Sequence, residues 1–159
     1  MMNELRLTPH QAIPKIKQYC SYQERCHLEV RDKLFSFGLH VHDVETLISK
    51  LIEENYLNEQ RFAIQFAGGK FRLKQWGRVK IKYALKTKRV SELCMKKALE
   101  QINDTDYFST LHELTAKKWQ ALRSEKNLFT KKKKLHDHLI QKGFEYDLVR
   151  GEIRKLCLD

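Results

Sequence analysis

The feature that most constrains this chain is that it repeats itself. Residues 34–51, LFSFGLHVHDVETLISKL, lie on residues 139–156, LIQKGFEYDLVRGEIRKL, with no gap. Leu34 meets Leu139, Gly38 meets Gly143, Leu39 meets Phe144, Val44 meets Val149, Ile48 meets Ile153 and Leu51 meets Leu156. Each copy reads as the end of one amphipathic helix, a glycine that stops it, and the length of a second helix. A middle copy over Ala84–Gln101 fits the same pattern, with Lys88 at the glycine position. Units recurring at roughly 50 residues are the mark of a tandem array, because each unit is too small to be stable until it packs on a neighbour. The expected fold is therefore all-α: an elongated, curved array of three three-helix, helix-turn-helix-like repeats, over residues 8–57, 58–103 and 104–159.

Composition agrees with helix. There are only 6 Gly and 2 Pro in 159 residues, and both prolines, Pro9 and Pro14, lie near the N-terminus. Thr8 before Pro9 predicts the first N-cap, with Ala12, Ile13, Ile16 and Tyr19 on the inner face. Ser21 with Glu24 suggests a capping box for a second helix carrying Leu28, Val30, Leu34 and Phe35, stopped at Gly38. A third helix would bury Val44, Leu47, Ile48, Leu51 and Ile52. Asn58 should cap the next, with Phe62, Ala63, Phe66 and Ala67 inward; Gly68-Gly69 reads as a break or a close-packing point after it. Helices over Gln75–Lys86 and Val90–Ile102 follow, the latter with Ser91 as cap and Leu93, Cys94, Ala98 and Leu99 inward. The last three are Asp106–Arg123, with Phe108, Leu111, Leu114, Trp119 and Leu122 on its apolar face, Leu128–Lys142 and Tyr146–Leu156.

Several classes of protein find no support. The opening MMNELRLTPH has no apolar stretch, so no secretory leader is expected, and no run approaches the length of a membrane span. The four cysteines (Cys20, Cys26, Cys94, Cys157) form no CxxC pair and are expected to be reduced thiols in a cytoplasmic protein. No phosphate-binding glycine loop, HExxH motif or zinc spacing is present. His40/His42 and His136/His138 are two apart, which on a helix points the rings to different sides. No catalytic residue, metal or cofactor is expected, and the chain is not expected to be an enzyme.

Charge is the most informative functional signal. Lys+Arg number 31 against 20 Asp+Glu, a formal net charge of +11. Such a field attracts polyanions. Between Glu59 and Glu92 there is no acidic residue, while Arg61, Lys70, Arg72, Lys74, Arg78, Lys80, Lys82, Lys86, Lys88 and Arg89 fall in that window. A solvated helix face usually mixes signs, since like charges one turn apart repel; a one-sign segment implies an acidic partner. On a helix from Gln75, the strip Arg78, Lys82 and Lys86 would be open, with Trp76, Val79 and Tyr83 on one side and Ile81, Ala84 and Leu85 on the other. That predicts a helix buried over most of its circumference, its aromatics in the core. Lys131, Lys132, Lys133 and Lys134 form a second cluster near a helix start, where cations oppose the helix dipole.

Tyr56-Leu57-Asn58-Glu59-Gln60-Arg61-Phe62-Ala63 resembles the central signature of the RecX family, regulators of the RecA recombinase. That signature runs glycine, tyrosine, leucine, two aspartates, an acidic residue, arginine, phenylalanine, alanine. Gly77, Arg78, Val79, Ile81 and Leu85 resemble the stretch that follows it. Ser21, Arg25, Leu28 and Lys33-Leu34 resemble the family's first hairpin; Lys131–Lys133, Leu135, Leu139 and Lys142-Gly143-Phe144 resemble its third unit. The resemblance runs from about Thr8 to Leu156. Asn55 replaces the glycine, Asn58-Glu59 the aspartate pair, and Lys88 the middle unit's glycine; the first two keep helix-capping character. The resemblance implies a curved array of three-helix repeats that binds the RecA filament on DNA. It would lodge in the filament groove as a monomer and damp ATPase, strand exchange and co-protease activities. The competing reading from the residues is a helical DNA- or RNA-binding module without catalytic activity, holding nucleic acid weakly through the same cations.

Overall fold

The computed structural model describes residues 6–158, and among them it contains nine helices and no strand. The first five residues, on which part of the leader reading rests, and Asp159, the end of the third expected repeat, lie outside the described residues. The helices are α1 Pro9–Tyr22, α2 His27–Ser36, α3 Val41–Glu53, α4 Glu59–Lys74, α5 Arg78–Thr87, α6 Glu92–Glu100, α7 Asp104–Ala121, α8 Leu128–Gln141 and α9 Tyr146–Leu158. The chain divides into two compact units. The first holds the residues up to Gln65 with Leu85–Lys97; the second holds Phe66–Ala84 with the residues from Ala98 onward. Helices α1–α3 belong to the first unit and α7–α9 to the second, while α4, α5 and α6 each run from one to the other.

Local chemistry explains where the helices begin. The Thr8 hydroxyl accepts from Gln11 N at 3.2 Å and the Gln11 side chain accepts from Thr8 N at 3.0 Å, a complete capping box. Asn58 accepts from Arg61 N at 2.8 Å, Ser91 from Cys94 N at 3.3 Å, Asn103 from Asp106 N at 3.0 Å and Asn127 from Thr130 N at 3.1 Å. Ser21 does not cap α2. Its hydroxyl donates back to Lys17 O at 2.8 Å, so α1 continues to Tyr22. Arg25 closes that end by donating to Tyr19 O at 3.1 Å. Gly68 and Gly69 do not break the chain either; both lie inside α4.

Helix ends account for the repeat. Gly38 and Gly143 have φ of 82° and 94°, in the left-handed region expected of a C′ glycine. In the last copy Gly143 N donates to Ile140 O at 2.9 Å and Phe144 N to Leu139 O at 3.3 Å, a Schellman motif. The middle copy shows the same pair of bonds, Arg89 N to Lys86 O at 3.0 Å and Val90 N to Leu85 O at 3.1 Å, with Arg89 at φ 59°. The middle repeat therefore runs one residue later than the sequence pattern indicates, with Arg89 and not Lys88 at the glycine position. The shift puts Met95 and Ile102 in the core beside Ala98, which was expected there, and leaves Leu93 62% exposed. Asn55, at φ 64°, ends α3 in the same manner; that is the physical reason a glycine or asparagine is needed there.

The core of the first unit joins Ala12, Ile16 and Cys20 of α1, Val30 and Leu34 of α2, and Val44, Leu47, Ile48 and Leu51 of α3, with Leu39 and Leu57 from the connections. In the second unit Tyr107, Leu111, Leu114, Leu135, Leu139, Phe144 and Val149 are buried, as is Ile81 of α5. Phe35, Ile52 and Phe108, expected inside, are 40%, 44% and 46% exposed, and Tyr107 takes the buried position expected of Phe108.

Candidate partner and nucleic-acid interface

Within the second unit, α5 does not begin at Gln75. That residue has φ 55° and terminates α4. The chain turns through Trp76 and Gly77, and the amides at the start of α5 find acceptors on other elements. Gly77 N donates to Lys142 O at 2.8 Å, Val79 N to Gly143 O at 2.9 Å and Arg78 N to the Tyr107 hydroxyl at 3.0 Å. Backbone meets backbone here: a Cβ on Gly77 would overlap the Gly143–Phe144 peptide, and one on Gly143 would overlap Lys80.

Arg78 is part of this junction and not an open cation. Its guanidinium carbon lies 3.8 Å from the centre of the Tyr107 ring, and its Nη2 bonds Asp104 Oδ1 at 2.5 Å. Nη1 stands 3.5 Å from Glu145 Oε2, and the side chain is 25% exposed. The Tyr107 hydroxyl donates to Glu145 Oε1 at 2.5 Å. Burial first, and that hydrogen bond second, push the Tyr107 hydroxyl far above the ordinary phenol range. The ring packs against Phe71 and Phe144 at centroid distances of 5.7 and 5.3 Å.

Three more candidate cations have carboxylate partners, two of them remote in sequence. In the first unit, Arg61 bonds Glu24 Oε1 at 2.6 Å and also donates to Asn55 Oδ1 and O at 3.0 and 3.1 Å. It thus fastens the end of α3 to the start of α4. Lys88 reaches Glu29 at 3.2 Å in the same unit. In the second unit, Lys134 reaches Glu125 at 2.9 Å. Arg72 lies over Gly68, where a Cβ would come within 2.6 Å of its Nη1, and opens on a crevice shared with Asp106 and Glu113.

The remaining candidates make no ion pair among the described residues. In the second unit they gather at the end of α4 and along α5. The Nζ atoms of Lys70 and Lys80 stand 5.0 and 4.6 Å from the centre of the Trp76 indole. Lys80 Nζ is also 3.4 Å from Gln141 O, and Lys142 donates to Lys74 O at 3.0 Å. Lys74 and Lys82 are exposed. The expectation that α5 is apolar over most of its circumference is corrected. Ile81 and Leu85 are fully buried, but Val79 is 55% and Tyr83 73% exposed. One side of the helix is core, and the outward side mixes cations with an aromatic ring. Sequence reasoning placed Tyr83 inside because its spacing from Trp76 and Val79 matched a helical stripe; that stripe faces outward.

On α8, Lys131 stacks over Trp119 at 3.9 Å, Lys132 is half-buried and Lys133 exposed, behind Leu128 and Phe129 at 55% and 79% exposure. In the first unit, Lys86 and Arg89 are exposed. No three His, Cys, Asp or Glu side chains converge as metal ligands among the described residues. No described helix is long and apolar enough to cross a membrane. Burial pushes the Cys20 thiol up to about 11 and also raises Cys26.

Helices in successive three-helix groups, with cations gathered where carboxylates are absent, define an all-α repeat protein with a basic surface. The family models described as the second and third three-helix domains of RecX match residues 58–99 and 104–151. The chain belongs to the RecX family. It is 36% identical over 129 residues to the regulatory protein RecX of Clostridium perfringens (strain 13 / Type A), covering 80% of this chain and 60% of that one. It is 29% identical over 140 residues to the regulatory protein RecX of Prosthecochloris aestuarii, covering 87% of this chain and 88% of that one. The crystal structure of RecX from Lactobacillus salivarius superposes with a TM-score of 0.83 at 26% identity, covering 95% of this chain and 97% of that one. The chain thus spans only 60% of the length of the Clostridium relative.

Proposed function

We propose that this protein is a regulator of the RecA recombinase, binding the filament that recombinase forms on DNA and damping its ATPase, strand-exchange and co-protease activities. The observation that carries this reading is the group of lysines that make no ion pair among the described residues, Lys70 and Lys74 at the end of α4 and Lys80 and Lys82 on α5 after the paired Arg78, in a chain of the RecX family. A nucleoprotein filament supplies the phosphate and acidic protein surface such a run requires. In this reading the chain is a cytoplasmic monomer without catalytic activity, organised as repeats over residues 8–57, 58–103 and 104–159. Its interface is made by Lys70, Arg72, Lys74, Lys80, Lys82, Lys86, Arg89 and Lys131–Lys133, while Arg61, Arg78, Lys88 and Lys134 hold the scaffold. The test is the DNA-dependent ATPase rate of the recombinase from the same cell, titrated with this protein at constant, excess single-stranded DNA; the rate is expected to fall.

A further inference from the structure

We infer that the outward face of α5 is a single-stranded nucleic-acid site in which Tyr83 is the base-stacking platform and Lys82, with the lysines around Trp76, holds the phosphates. The inference deepens the reading above by assigning one part of the basic surface to the nucleic acid itself.

Tyr83 is 73% exposed, and Val79, one turn earlier on the same face, is 55% exposed. Large side chains left in water on a folded surface mark a contact site when something adjacent specifies the partner. Here the adjacent chemistry is of one sign. Every charged side chain from Phe66 to Ala84 is a cation: Lys70, Arg72, Lys74, Lys80 and Lys82, and Arg78, which is paired with Asp104 and Glu145. Lys82 is exposed beside Tyr83 in sequence, and Lys70 and Lys80 hold their ammonium groups against Trp76 at 5.0 and 4.6 Å.

An acidic protein surface would be satisfied by the cations alone and gives a phenol ring nothing to stack on. A nucleotide offers an anionic phosphate and a flat π-face together, which is what an aromatic ring set among lysines accepts. The strand must be single. In a duplex the base faces are covered by their neighbours and only edges and phosphates are presented. Stacking is tolerant of sequence, so the site should hold single strands with little base preference.

The experiment measures binding of the full chain to fluorescein-labelled oligo(dT), and to an abasic strand of equal length and charge, by anisotropy across a salt series and without recombinase. Tyr83→Ala is expected to weaken oligo(dT) binding by about 5- to 150-fold, the range that loss of one base stack gives. The salt slope should be unchanged, because no phosphate contact is lost. Tyr83→Phe, which keeps the ring, should bind as the unaltered protein does. Lys82→Ala should instead lower the log–log salt slope by about 0.7. The melting transition of each Tyr83 variant, measured alongside, separates a lost stack from a lost fold. On the abasic strand Tyr83→Ala should make no difference.

Three results would overturn the assignment: no binding of oligo(dT) by the unaltered protein, full affinity in Tyr83→Ala, or an equal loss on the abasic strand. If Tyr83→Ala keeps its affinity for oligo(dT) but inhibits the recombinase less, the ring contacts protein instead. Because oligo(dT) binding is read without recombinase, this site and the regulatory reading can fail separately.

Discussion

Arg78 and Tyr107 illustrate how single side chains here combine charge with scaffold. Arg78 lies on the Tyr107 ring, bonds Asp104 and approaches Glu145, while the Tyr107 hydroxyl both donates to Glu145 and accepts from the Arg78 amide. Removing that hydroxyl strands a half-buried carboxylate and a helix-start amide. Tyr107→Phe should therefore lose about 1–3 kcal/mol, read as a lower urea midpoint with an unchanged slope. A midpoint equal to the unaltered protein's would show that the network does not hold the unit. Arg78→Glu would set a third carboxylate beside Asp104 and Glu145, so lost partner binding in that variant would report damage to the fold. The acid-free window was legible in the sequence, but its partial neutralisation was not: Glu29 and Asp104 come from helices outside it, and Glu24 and Glu145 from connections outside it. Cysteine reactivity is a second residue-scale outcome. Cys20 and Cys26 are buried, and burial raises both thiols, so their thiolate fraction at pH 8 falls below that of an ordinary cysteine. A disulfide-exchange reagent should label exposed Cys157 in the native protein and reach Cys20 and Cys26 only on unfolding; rapid native labelling of either would contradict their burial.

At the scale of the element, the connections carry the specificity. Helix existence was readable throughout because apolar residues recur at the helical period and caps such as Thr8, Asn58 and Ser91 announce the starts. What failed was register in the middle copy. Glycine marks the left-handed stop in the outer copies, but an arginine occupies it in the middle one, leaving no signal to fix the position within one residue. Start points failed for a related reason. Ser21 and Gln75 sit where a cap would be plausible, yet one bonds back to its own helix and the other ends a helix in the left-handed region. The two kinds of stop should respond oppositely to substitution. Arg89→Gly relieves a left-handed side chain and should add about 1 kcal/mol; Gly143→Ala imposes one at φ 94° against Lys80 and should remove more than that. Opposite shifts in thermal midpoint check both. A loss of stability in Arg89→Gly would mean that contacts of the arginine outweigh its backbone strain.

For the molecule as a whole, a net charge of +11 is a statement about partners, and its distribution says more than its size. Cations beside a carboxylate, such as Arg61 and Lys88, fasten helices together. Those without one stay in solvent on the end of α4, on α5 and on α8. The all-α repeat class was legible from the self-similarity, and the RecX family from residues spread over nearly the whole chain, because both rest on periodic and local patterns. Separating the cations that form ion pairs from those that do not was not legible, because pairing between residues distant in sequence leaves no local trace. The outward turn of Tyr83 was hidden for the same reason: helical periodicity marks an apolar stripe without saying which stripe the neighbouring helices cover. The most direct measurement on the central claim is the recombinase ATPase titration at saturating single-stranded DNA. Inhibition at a protein concentration well below that of the recombinase is the predicted result, since masking of bare DNA cannot act there. An unchanged rate, while the protein still shifts DNA in a gel, would contradict it and leave a helical nucleic-acid-binding module.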